Sequence, residues 1–60
     1  MLTTKITYAL ADWIKDWKKE YGINPSIDDC IKFTKWKVGK NDLTESDENL
    51  IETILLYNID

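Results

Sequence analysis

Tyr21-Gly22-Ile23-Asn24-Pro25-Ser26-Ile27-Asp28-Asp29 sets one helix end and one helix start back to back. A glycine that follows a periodic apolar run supplies the left-handed residue that closes a helix. Pro25 biases Asn24 away from helical backbone. Ser26, with Asp29 three positions on, forms a shortened capping box. One helix therefore stops at about Tyr21, and a second begins at about Ile27.

Upstream of this junction, Ile6, Leu10, Trp13, Ile14, Trp17 and Tyr21 recur at spacings of three and four, as one helical face requires. Thr3 or Thr4 is the cap, and Ile23 is expected to fold back on the last turn. Downstream, the inner face of the second helix is Ile27, Cys30, Ile31, Thr34 and Val38. Asp28 and Asp29 in its first turn and Lys35 and Lys37 in its last match the helix dipole, and Gly39 stops it. Gly39-Lys40-Asn41-Asp42 reads as a polar loop. Thr44 then caps a third helix, with Asp47 at the box position and Glu45 and Glu48 beside it. Leu50, Ile51, Ile54, Leu55 and Tyr57 form its apolar stripe, which ends near Asn58. No strand alternation, repeat or low-complexity tract interrupts the pattern. The expectation is an all-α, compact three-helix bundle, one domain over 1–60 with helices at about 4–21, 27–38 and 45–58.

A 60-residue chain buries only about 60% of the surface its unfolded form exposes, so the core is small. Cys30 is the sole cysteine, which excludes an intrachain disulfide. The absence of histidine argues against a His/Cys metal site and rules out any histidine triad or dyad. No apolar run approaches the ~20 residues of a membrane span, and no basic segment with an apolar h-region opens the chain. The reading is a cytoplasmic protein with no metal, no cofactor and no catalytic residues.

Carboxylate pairs such as Asp12 and Asp16 alternate with Lys15 and Lys19, the pattern of solvated i,i+4 pairs. Asp42 through Glu48 lacks the glycine and alternating ligands of a calcium loop. Cys30 reads as a small buried apolar residue, since its neighbours Asp28 and Asp29 have the wrong sign to favour a thiolate.

All eight positive charges are lysine and the net charge is −3. Without arginine the chain lacks the planar fork that grips phosphate and guanine, and the charge balance gives no long-range attraction to a polyanion. The abundance of Ile, Lys, Asn and Asp fits an AT-rich genome.

A helical wheel leaves several large apolar residues off the core stripes. Tyr8 points roughly opposite Ile6, Leu10 and Trp17. Trp36 lies nearly opposite Ile27 and Val38, flanked by Asp29, Lys32 and Lys40, and Phe33 sits at the core edge. Leu56 and Ile59 lie off the third stripe. A tiny domain that uses both flanks of its helices accounts for Phe33 and Leu56. For Trp36 and Tyr8 an interface is the preferred account, because aromatic anchors dominate interface energies. Trp13 and Trp17, four apart on the core stripe, read as packing residues whose indole N–H groups need partners or water.

Trp17 through Ile31, containing Lys-Lys-Glu-Tyr-Gly-Ile-Asn-Pro-Ser-Ile, resembles the helix-turn-helix motif of transcriptional regulators over about a quarter of the chain. The resemblance implies that Gly22 is the turn glycine, Ile23 the buried residue after it and Ile31 the inner residue of a recognition helix. Lys18 stands where the family usually has alanine, and Asp28 where it usually has a buried aliphatic. Asp28 and Asp29 would also face the phosphates whose neutralisation supplies most of the affinity. A third reading takes Lys32-Phe33-Thr34-Lys35-Trp36-Lys37 through Lys40 as a base-stacking strip for single strands.

The expectation is a non-enzymatic protein–protein interaction module, a regulator or inhibitor that occludes a larger host or cognate protein. A whole small reading frame of this size suits phages and mobile elements. Tyr8, Lys32, Phe33 and Trp36 are the expected partner-binding residues, and Leu56 and Ile59 those of a homodimer. The alternative is a helix-turn-helix DNA-binding regulator.

Overall fold

Three hydroxyl side chains open the three helices. In the structure, a computed structural model that describes residues 2–39 and 43–59, these are α1 (Thr4–Tyr21), α2 (Ile27–Val38) and α3 (Glu45–Tyr57). Thr3 caps α1, its Oγ1 accepting from the Ile6 N–H at 3.2 Å. Ser26 and Asp29 form a reciprocal box on α2: the Asp29 N–H donates to Ser26 Oγ at 3.1 Å, and the Ser26 N–H donates to Asp29 Oδ2 at 3.3 Å. Thr44 and Asp47 repeat it on α3 at 3.1 and 3.3 Å. Each box satisfies two backbone groups, one of them an otherwise orphaned helix donor. At the other ends Gly22 (φ 73°) and Gly39 (φ 70°) adopt the left-handed conformation. Their N–H groups close the helices onto the carbonyls of Lys18 and Lys35. Lys40, Asn41 and Asp42 of the expected polar loop lie outside the described residues.

All three helix pairs pack against one another. The core is Leu10 and Ile14 from α1, Cys30 from α2, and Ile51, Ile54 and Leu55 from α3. Each fully buried leucine or isoleucine contributes about 1.5–3 kcal/mol. The residue just before each cap also turns inward: Pro25 is buried, and Leu2 and Leu43 pack on the core. Thr34 is fully buried as well, and its hydroxyl donates to the Cys30 carbonyl at 2.8 Å, so no buried donor is stranded there.

Four expected core positions differ. Tyr21 and Ile23 are exposed, so Ile23 neither folds back on α1 nor takes the buried place the helix-turn-helix resemblance gives it. Tyr57 is 85% exposed and Leu50 sits at the exposed edge. The inner face of α3 is instead Asp47, Ile51, Ile54 and Leu55, and Tyr57 stands roughly 110° around the helix from its centre. Asp47, expected only to cap, is therefore also buried. Its carboxylate is held below the usual carboxylate range, chiefly by the Thr44 backbone N–H and against the opposing effect of burial.

Candidate interaction surface

Trp13, Trp17 and Tyr21 stand four apart on α1, and Phe33 and Trp36 three apart on α2. Such spacings bring side chains of one helix together. The structure links the two sets. Trp13 and Phe33 stack across the helix pair, with ring centroids 4.8 Å apart and planes 14° from parallel. Trp17 lies 5.3 Å from Trp13 at 51°, and Tyr21 4.6 Å from Trp17 at 52°. Trp36 continues the row beyond Phe33 at 6.0 Å and 47°. Five rings thus run from the C-terminal end of α1 to the C-terminal half of α2. Ring pairs at these separations add about 0.5–1.5 kcal/mol beyond their buried area.

The row is dry in its middle and wet at its ends. Trp13, Trp17 and Phe33 are half-buried, whereas Tyr21 is exposed and Trp36 is 73% exposed. Lys37 Nζ stands 5.3 Å from the centroid of the Trp36 ring, within cation–π range. Lys32 is exposed and Lys35 half-exposed on the same helix. The described charges of the C-terminal half of α2 are therefore all positive. Lys40, also expected beside Trp36 and in the base-stacking strip, lies outside the described residues.

Of the expected partner-binding residues, Phe33 and Trp36 come together as a ring pair, and Lys32 shares their helix. Tyr8 is exposed, but it stands roughly 140° around α1 from Trp13, and among the described residues it makes no ring contact. Leu56 and Ile59, expected to self-associate, are both exposed. Leu56 lies on the outer face of α3 beside Glu45, Glu48 and Glu52.

Sequence reading missed the continuity of the ring row. The i,i+4 repeat 13–17–21 was legible, but the Trp13–Phe33 stack depends on how α1 and α2 cross. Two buried polar atoms also belong to this end of the molecule: Trp17 Nε1 and Asn24 Oδ1 find no hydrogen-bond partner among the described residues.

Cys30 is fully buried, and burial, followed by the nearby Asp29 charge, pushes its thiol from 9.0 up to about 11. Asp12, Lys15, Asp16 and Lys19 are exposed. Among the described residues no group of three His, Cys, Asp or Glu side chains is placed to hold a metal ion. No described helix is long and apolar enough to cross a membrane. Comparison with known proteins finds no matching family model, no matching curated protein and no matching solved structure.

Proposed function

We propose that this chain is a non-enzymatic protein-binding module that works by occluding a surface on a larger protein, as a regulator or inhibitor does. The observation that carries the reading is Trp36. An indole 73% exposed is a poor use of the largest apolar side chain unless something covers it, and large rigid aromatics are the residues that anchor interfaces. Its neighbour Phe33 is braced by the Trp13 stack, so the anchor stands on a stiff base and loses little freedom on binding. Lys32, Lys35 and Lys37 around it select a partner whose apolar pocket is rimmed by carboxylates. Against nucleic acid stand the net charge of −3, the lack of arginine, and the two aspartates in the first turn of α2.

The test is affinity capture from host-cell lysate, with and without nuclease, wild type beside Trp36→Ala. A protein retained by wild type and lost by the variant supports the reading. Retention of nuclease-sensitive material alone contradicts it.

A further inference from the structure

α3 divides its surface by charge. Glu45, Glu48 and Glu52 gather within an arc of roughly 60° on one side of the helix, and Asp47 turns into the core. Ser46, Leu50, Thr53 and Tyr57 share a second arc of roughly 60°, centred roughly 140° around the helix from the three glutamates. All four are exposed, Leu50 at 37% and Tyr57 at 85%, and none is charged. Among the described residues no exposed face of α1 or α2 runs its full length without a lysine or a carboxylate.

The four positions are spaced four, three and four, the repeat of a seam between two helices. They also alternate small, large, small, large. Read backwards, the order is large, small, large, small. Two copies of α3 laid antiparallel therefore set Tyr57 against Ser46 and Leu50 against Thr53, so that every layer fills. A parallel pair would set Tyr57 on Tyr57 and leave a gap between two Ser46 side chains. Thr53 is suited to a dry contact, because its hydroxyl already donates to the Asn49 carbonyl at 3.0 Å and no donor is stranded when the seam closes.

We infer that this stripe is a self-association surface, covered by the α3 of a second copy of this chain in antiparallel register. The same patch serves both copies, so the contact is isologous and closes as a discrete dimer. Charge favours this occupant. Each copy is acidic overall, yet the contact brings no carboxylates together, since the three glutamates face away from the seam and Asp47 is buried. A partner selected by its charge finds nothing to grip on the stripe, whereas depletion of charge around apolar side chains is the composition of a homodimer centre. Pairing also enlarges a small core. With one cysteine the chain cannot staple itself by a disulfide, and oligomerisation is another way in which small domains add buried area. Leu56 sits at the rim of this contact and Ile59 lies past the end of α3, so its centre falls on Leu50 and Thr53. No ring of the aromatic row from Tyr21 to Trp36 takes part. The inference is independent of the Trp36 reading, and the dimer carries two Trp36 side chains.

Sedimentation of the full chain over a wide concentration range tests this. Wild type should rise from the monomer mass to a plateau at twice that mass, with little dependence on salt. Thr53→Glu and Tyr57→Glu, both at exposed helical positions, should each lower the association constant at least tenfold, with circular dichroism to check that each folds. Trp36→Ala should leave the dimer unchanged. The register has its own test. Adding Ser46→Lys to Tyr57→Glu should restore association several-fold, because antiparallel pairing sets lysine on glutamate twice by symmetry, whereas parallel pairing sets like on like. A wild type that stays monomeric at every concentration overturns the inference. So does a dimer indifferent to both Thr53→Glu and Tyr57→Glu, or one lost with Trp36→Ala. A doubly substituted chain that associates no better than Tyr57→Glu alone overturns the antiparallel register.

Discussion

Trp17 occupies the costliest position in the aromatic row. Its ring touches both Trp13 and Tyr21, yet its indole N–H is buried with no hydrogen-bond partner among the described residues. An unpaired buried donor costs about 1–3 kcal/mol, so Trp17→Phe discards a penalty along with some packing area. We expect it to destabilise by under about 1 kcal/mol, whereas Trp17→Ala costs about 3 kcal/mol or more by chemical denaturation. Cys30 makes the opposite point, since its sulfur is well placed and chemically quiet. Well below pH 9.0 the thiol is neutral in both folded and unfolded chains. Between 9.0 and about 11 the unfolded chain ionises while the folded one resists, so stability falls across that window and then levels off. Cys30→Ala should remove this part of the alkaline slope. A thiol reagent at neutral pH should label native protein only as fast as it opens.

Helix ends were legible in the sequence because they are written in single residues. Thr3, Ser26 with Asp29, Thr44 with Asp47, Gly22 and Gly39 all act within four positions of where they stand. The face of α3 was not legible, because Tyr57 and Asp47 are assigned by where α1 and α2 lie, which no local signal reports. Gly22→Ala isolates the local contribution. Nothing lies within 4 Å of a Cβ placed there, so the whole cost is the left-handed backbone, roughly 1 kcal/mol as a loss in unfolding free energy. Gly22→Asn should cost less, since asparagine tolerates that conformation better. Asp47 links its element to pH. Its folded carboxyl titrates below the ordinary 3.8 of a carboxylate, so the stability it contributes is present above that value and lost as pH falls through the lowered one. Asp47→Asn should flatten the acid limb of a melting-temperature profile as pH falls below the ordinary carboxylate range.

At the scale of the molecule, a small core leaves many large apolar side chains near the surface. The question for each is whether it holds the fold or awaits a partner. Sequence placed Trp36 opposite the core and Phe33 at its edge, and the structure has Trp36 exposed and Phe33 half-buried against the core, since a helical wheel needs only the chain itself. It grouped Tyr8 with them by exposure alone, and the bundle keeps Tyr8 on another side of α1. The Trp13–Phe33 stack marks the boundary between packing and display: inside it rings are half-buried, and beyond it Trp36 stands in solvent. The central claim is that Trp36 is dispensable to the fold. It is tested by the unfolding free energy of Trp36→Ala measured beside Trp13→Ala. The account predicts a change within about 0.5 kcal/mol for Trp36, the usual range for a surface substitution, and a loss of about 3 kcal/mol or more for Trp13. If Trp36→Ala destabilises as much as Trp13→Ala, Trp36 is a packing residue and the interface built on it does not exist.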